Sequence, residues 1–381
     1  MLNWFSRNAR DLPWRRTRDP YAIWVSEIML QQTQVKTVIP YWEHWMRELP
    51  TIEAVAKARS EKIHKLWEGL GYYTRVRNLQ KAARQIVEKH GGKFPKNFCD
   101  VLALPGIGRY TAGAICSIAF NQPTPILDGN VVRVLTRVFG IAENPREKKT
   151  NAQLWRLAEE LVTHAKTQRS PIKGRDSALR CPDAAARRPY QNSPNVSCSF
   201  LNQSLMELGA LVCTPRNPKC QICPVQKLCV AFRENRIEEL PNLGERTAAT
   251  VRRFIAFVVE RQGRFLVRQR PAGVVNAHLW EFPNVECVKD EADARQIFKT
   301  MFGVKPLGIQ PLCTVKHSIT RYRITLEAFR VQLGGRSYTT PKISRTREAR
   351  PSEIGVWLSS TKLDSLALTS AHRKILRHLQ Y

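Results

Sequence analysis

Four cysteines stand within seventeen residues, Cys213, Cys220, Cys223 and Cys229, in the spacing C-x6-C-x2-C-x5-C. A tight C-x-x-C turn with a flanking thiol on each side can enclose one metal centre. Four thiolates suit either zinc or an iron–sulfur cluster, and on spacing alone the two readings stand level. A disulfide cluster is the poorer reading: ten cysteines are few for 381 residues, and the N-terminus MLNWFSRNARDLPWRR has no apolar secretory core.

A second chemical signal is Leu104-Pro105-Gly106-Ile107-Gly108-Arg109-Tyr110-Thr111-Ala112. Two glycines around one apolar residue at the mouth of a helix let backbone N–H groups approach a phosphate at the positive end of the helix dipole. With Leu-Pro ahead of it, the segment resembles the helix–hairpin–helix element that holds a DNA backbone, through Gly106 and Gly108, without reading its sequence. Two carboxylates accompany it. Glu27 shares a helix face with Ile23 and Leu30, and an apolar setting raises a carboxyl pKa and favours a proton donor. Asp128, in Pro125-Ile126-Leu127-Asp128-Gly129-Asn130, precedes a helix, where an N-cap is its plainer role. An acid for a leaving base and an anion beside a sugar cation are what breaking an N-glycosidic bond requires.

The order of hairpin, aspartate and four cysteines resembles the endonuclease III superfamily of DNA repair glycosylases. Within it, Glu27–Val35, Gly69-Leu70-Gly71-Tyr72-Tyr73 and Ile126–Val131 resemble the A/G-specific adenine DNA glycosylase branch. The resemblance implies a [4Fe–4S] cluster on Cys213, Cys220, Cys223 and Cys229. It implies adenine excision from double-stranded DNA, opposite 8-oxoguanine or guanine, by an enzyme expected to be a monomer. The lack of any apolar run long enough to span a membrane and of an apolar secretory core gives the expectation of no membrane partner and a cytoplasmic, DNA-associated protein. The resemblance casts Glu27 as the acid that protonates adenine and activates water, and Asp128 as the stabiliser of the sugar cation. Tyr110 and Asn130 would hold these two in place. Trp14, Arg15 and Leu30 would line the adenine pocket, and Gln32 and Tyr72 would intrude into the duplex. Endonuclease III places a lysine where this chain has Tyr110. A phenol forms no Schiff base, so the expected enzyme is monofunctional. The alternative is a bifunctional pyrimidine glycosylase/lyase, which Tyr110 opposes. A non-catalytic zinc protein would have no use for Glu27 and Asp128 in these settings.

These residues need elements to place them. Residues 20–230 read as helical: a long helical stretch Pro20–Leu49, then helices near 51–57, 60–69, 74–90, 97–103, 109–120, 130–139 and 151–165. After Cys229 the pattern changes. A polar linker, 230–250, leads to strand-like runs at Phe254–Val259, Phe265–Arg270, Leu312–His317 and Tyr322–Val331, with a helix at 290–302. The expected architecture is multidomain, α and α+β. A helix–hairpin–helix glycosylase region, 1–229, carries the hairpin at 104–120 and the iron–sulfur loop at 213–229, and an α+β domain follows at 251–381. Residues 166–198, with seven Lys/Arg against two Asp and almost no periodicity, read as a disordered basic insertion. Lys and Arg number 61 against 32 Asp and Glu, a net charge of +29, which attracts polyanions and points to nucleic acid.

The C-terminal domain resembles a Nudix fold. The stretch Arg295-Gln296-Ile297-Phe298-Lys299-Thr300, ending at Gly303, lacks every carboxylate of the metal-binding Nudix box. It should therefore bind no magnesium, which opposes a nucleotide pyrophosphatase and leaves a recognition module. In the family a Phe-Ser-His turn reads 8-oxoguanine. Here Val315-Lys316-His317, followed by Ser318, takes that place, and the expected lesion contacts are His317 with Ser318 or Lys316.

Overall fold

The structure, a computed structural model, describes residues 1–167, 197–245, 248–287, 293–319, 321–333 and 355–379. Nearly all of the basic insertion lies outside these. By packing, the chain divides into two compact units, and the division is not the uninterrupted one expected from composition. One unit comprises Met1–Lys57 with Asn78–Arg246, the other Ala58–Arg77 with Thr247–Tyr381.

The first unit is helical. Asp19 accepts the amide of Tyr21 and Pro20 opens the helix Pro20–Leu30, whose residues Tyr21–Met29 are all buried. A helix apolar on every side belongs inside a core, and Trp24 meets Phe94 and Tyr21 edge-on there. The expected long stretch Pro20–Leu49 is in fact two helices. The chain leaves helical geometry after Leu30, Gln32 takes φ 60°, and the helix Val35–Glu48 begins afresh. The hairpin runs from the helix Phe98–Leu102 to the helix Arg109–Phe120. Gly106 has φ 78°, and a Cβ there would lie 2.6 Å from Cβ of Asn78, so only glycine fits. Asp128 caps the helix Gly129–Phe139, against which the helix Ser197–Leu211 packs. The expected linker is partly ordered against this unit: Val230–Arg233 is helical, Leu240 is buried, and Arg137 Nε donates to its carbonyl at 2.8 Å.

The second unit is built on a sheet. Its described strands are β1 (Thr250–Arg261), β2 (Arg264–Gln269), β3 (Trp280–Glu281), β4 (Asn284–Cys287), β5 (Gly308–Ile319), β6 (Tyr322–Gln332) and β7 (Val356–Ser359). The path is β3-β2-β1-β6-β5, with β4 on β1 and β7 on β2. Gln262 and Gly263 both take positive φ, the geometry of a two-residue hairpin turn between β1 and β2. β1 and β6 pair in parallel from Thr250↔Tyr322 to Glu260↔Gln332. β1 is covered on both faces: Ala256 and Val258 join one core with Phe282 and Ile375, and Ile255, Phe257 and Val259 join another with Phe298 and Phe302. Phe298 and Phe302 lie on the helix Ala294–Phe302, the segment expected at 290–302. The expected Nudix-box stretch is that helix. Asp293 caps it by accepting the amide of Arg295, and Gly303 ends it.

Candidate active site

The helix Pro20–Leu30 carries Glu27, the helix Arg109–Phe120 carries Tyr110, and the cap of Gly129–Phe139 is Asp128. All three face one cavity of about 460 Å³, which Asn130, Trp14, Arg15, Leu30 and Gln32 also line. That volume lies in the range of small-ligand sites, roughly 300–1,000 Å³. Seven of the eight were expected at a base pocket or catalytic centre on this side; Gln32, expected in the duplex, lies here too.

The two carboxyls are treated differently. Glu27 is 5% exposed and accepts a hydrogen bond from the Tyr110 hydroxyl at 2.8 Å. Burial pushes its pKa up to about 7, with the Asp128 charge adding and Tyr110 and Arg15 opposing. The Tyr110 hydroxyl, buried beside two carboxyls, is raised well above its ordinary value and stays a donor. Burial pushes Asp128 up as well, but every hydrogen bond it accepts favours the anion: Val131 N–H to Oδ1 at 2.7 Å and Asn130 Nδ2 to Oδ2 at 2.9 Å. Arg133 Nη2 donates to Asn130 Oδ1 at 2.9 Å and fixes which way that amide points. In the geometry Tyr110 bonds Glu27 and Asn130 bonds Asp128.

Glu207 was not read from the sequence. It is buried on the same cavity and accepts Arg10 Nη2 at 2.8 Å and Arg15 Nη2 at 2.9 Å. Burial alone would raise it, but the two guanidiniums hold it down at about 2. Its helix, Ser197–Leu211, buries Asn202, Gln203 and Glu207 along with its apolar residues, so no polar face marks it.

The four cysteines line a second, largely enclosed site with Val134 and Arg137. Burial first, and then the neighbouring sulfurs, raise the pKa of Cys220, Cys223 and Cys229, so without a metal centre these thiols keep their protons, and a cluster bound there would have to displace them. Arg137 Nη1 lies 3.5 Å from Cys213 Sγ, and Arg133 Nε donates to the Cys213 carbonyl at 2.7 Å. The donor set fits an iron–sulfur cluster with four protein ligands and no open position.

The remaining expected residues lie elsewhere. Gly106 and Gly108 form the hairpin of the first unit. Tyr72 belongs to the second unit, is 44% exposed and has φ 47°. Val315–Ser318 forms no turn. It lies within β5, paired Val315↔Leu326 and His317↔Ile324. Adjacent strand residues face opposite ways. Val315 points into the core with His317 half-buried beside it, while Lys316 and Ser318 are exposed on the other face. His317 therefore does not share a face with Lys316 or Ser318. Burial, then the charge of Lys374, lowers its pKa.

Sequence comparison gives the family. Residues 25–160 match the HhH-GPD superfamily of base excision DNA repair proteins, 213–229 the iron–sulfur binding domain of endonuclease III, and 255–378 a NUDIX domain. The adenine DNA glycosylase of Homo sapiens is 34% identical over 440 aligned residues, covering 100% of this chain and 73% of that protein. The chain belongs to the adenine DNA glycosylase family. That of Buchnera aphidicola from Schizaphis graminum is 36% identical over 287 residues, 75% of this chain and 74% of its own. A solved thermostable thymine-DNA glycosylase, 30% identical, covers 61% of this chain and 93% of its own with a TM-score of 0.49. The family carries a [4Fe–4S] cluster at the four cysteines.

Two predictions follow from the buried groups. Because the folded pKa of Glu27 exceeds its unfolded value, folding binds a proton, and stability falls as pH rises from about 4.5 to about 7. Glu27→Gln removes this loss. The variant should melt above wild type by an amount growing from about pH 4.5 to about pH 7, worth roughly 3 kcal/mol above that window. Equal melting at high pH would contradict the burial of the charge. Separately, protein made with ample iron should be yellow-brown and contain iron and sulfide. Cys213→Ala should lower the yield of soluble protein, since the cluster closes the loop onto Arg133 and Arg137.

Proposed function

We propose that this chain is a monofunctional DNA glycosylase of base excision repair that hydrolyses the N-glycosidic bond of adenine mispaired with 8-oxoguanine or guanine. The observation that carries the reading is the pair of carboxyls on one cavity, a protonatable Glu27 and an Asp128 that accepts hydrogen bonds from Val131 and Asn130. Family membership supplies the substrate class, and with it the work inside the cell on DNA.

In this reading the flipped adenine enters the cavity beside Trp14, Arg15 and Leu30. Glu27, protonated in part near neutral pH, gives its proton to N7 of the base. The bond from C1′ to N9 then breaks, and its electron pair leaves with adenine. The sugar is left cationic, and Asp128 faces it as an anion, held by Asn130 and the first turn of its helix. Water adds to C1′ and its proton returns to Glu27, which restores the acid. Tyr110 orients Glu27 through one hydrogen bond. No amine stands in its place, so no covalent imine with the sugar forms and the strand stays intact. No membrane partner enters this reading, and among the described residues no helix is long and apolar enough to cross a membrane. The working form is a monomer on duplex DNA. The second unit supplies opposite-base recognition, through His317 or, on the other strand face, through Lys316 and Ser318. Its Nudix helix presents Arg295, Gln296, Lys299 and Thr300 and no carboxylate for magnesium.

Wild-type protein should release adenine from duplexes carrying A opposite 8-oxoguanine or G, and the strand should break only after hot alkali. Borohydride should trap little adduct. Glu27→Gln should slow release at least about 100-fold, the scale of general acid catalysis, while DNA binding persists, and the wild-type rate should fall as pH passes about 7. Strand nicking as fast as base release would defeat the monofunctional reading. Binding should also weaken steeply with salt, because 29 excess positive charges favour phosphate neutralisation with counterion release. A flat dependence of log K on log salt would contradict it.

A further inference from the structure

Residues 58–77 come from the helical half of the sequence, yet they pack as part of the C-terminal unit. Their attachment is specific. Glu68, with its side chain 14% exposed, accepts Arg373 Nε at 2.8 Å, Lys65 Nζ at 2.8 Å and the Leu368 amide at 3.0 Å. The bonds also run the other way. Lys65 Nζ donates to the carbonyl of Asp364 at 2.6 Å, and Arg77 Nη1 donates to that of Ala277 at 3.1 Å. The His64 and His278 rings stack with planes 8° apart.

Immediately after Glu68 the backbone enters an unusual path. Gly69, Gly71 and Tyr72 take φ of 104°, 69° and 47°. A tyrosine in this region is strained and persists only where the surroundings over-determine it. Arg75 supplies the far end of the hold: its Nη2 donates to the carbonyls of Leu70 at 2.9 Å and Gly71 at 3.1 Å. Its guanidinium lies over the rings of Trp67 and Tyr72. The outcome is an aromatic ring that stays largely exposed while its loop is tied at both ends.

We propose that Glu68 is a specificity-determining positioning residue: through Arg373 and the Leu368 amide it fixes the Tyr72 loop to the C-terminal domain, so that opposite-base recognition by that domain sets where Tyr72 enters the duplex. The proposal rests on the glycosylase reading above and on Tyr72 as an intruding residue. Glu68 touches neither the base nor the sugar. It acts by making the loop and the recognition domain one piece, a packed element that carries a constraint from one contact to another.

The test is single-turnover adenine release by the full chain from duplexes with A opposite 8-oxoguanine or opposite G. It compares wild type with Glu68→Ala, Glu68→Gln, Arg373→Met and Arg373→Lys, with the melting temperature of each. Glu68→Ala and Arg373→Met should lower the ratio of the two rates, by roughly 2- to 30-fold, the span of coupling changes along such networks. The rate opposite G should change little. Arg373→Lys, which keeps a charge on Glu68, should recover most of the ratio. Should Glu68→Ala fail to fold, Glu68→Gln and Arg373→Met give the same reading. A wild-type preference that survives in these variants overturns this proposal alone, as does a fall of both rates together with the melting temperature. A wild type with no preference removes the opposite-base reading, and this proposal with it.

Discussion

A carboxyl group kept away from water inside a buried helix is the constraint on which the candidate site is organised. Isolated in apolar surroundings, an ionised Glu27 would be severely penalised. The structure meets this with one donor, Tyr110, and with a pKa brought to about 7, where either protonation state is accessible. The helix that carries it is buried from Tyr21 to Met29, so the carboxyl inherits its environment from the core itself. The ion pairs of Glu207 with Arg10 and Arg15 fit the same logic. The Arg15 charge lowers the pKa of Glu27, and Glu207 offsets it by pairing with Arg15 as well as with Arg10.

The iron–sulfur site belongs to this arrangement through one helix. Gly129–Phe139 has Asp128 at its start, and Arg133 and Arg137, one turn apart, run from the active site to the cysteines. Arg133 Nη2 donates to Asn130 Oδ1 and to the Gly209 carbonyl, and its Nε donates to the Cys213 carbonyl. Arg137 reaches Cys213 Sγ and the carbonyls of Thr214 and Leu240. The cysteine loop is thus tied to the helix that starts at Asp128 through Arg133 and Arg137.

Much of this was legible in the sequence where composition forces geometry. Leu-Pro-Gly-Ile-Gly reads as a tight hairpin between helices, and the alternating runs Phe254–Val259 and Tyr322–Val331, with their β-branched and aromatic residues, read as strands. The rest was hidden for identifiable reasons. Leu30-Gln31-Gln32-Thr33-Gln34 contains neither glycine nor proline, so the break at Gln32 left no mark. Ser197–Leu211 is buried all round and has no amphipathic period, which concealed Glu207. The strand character of Leu312–His317 was legible, but the family's turn suggested that His317 acts with Lys316 or Ser318, which β5 places on the opposite face. That Ala58–Arg77 packs with a sheet whose first strand begins at Thr250 depends on ion pairs between residues some 300 positions apart, such as Glu68 with Arg373. Local pattern carries no trace of such pairs.

Asp128 and Glu27 differ in what would keep them in place if the enzyme ceased to work. Asp128 caps a helix at the heart of its unit, so folding alone asks for an acceptor side chain there. Nothing in folding asks for a carboxyl at Glu27, and a leucine or methionine would suit that apolar helix better. A duplicated copy of this gene freed from its repair task would therefore keep its aspartate, or exchange it for asparagine or serine, long after it had given up the glutamate. In judging whether a related chain is a living enzyme or a retired one, position 27 is the residue to inspect.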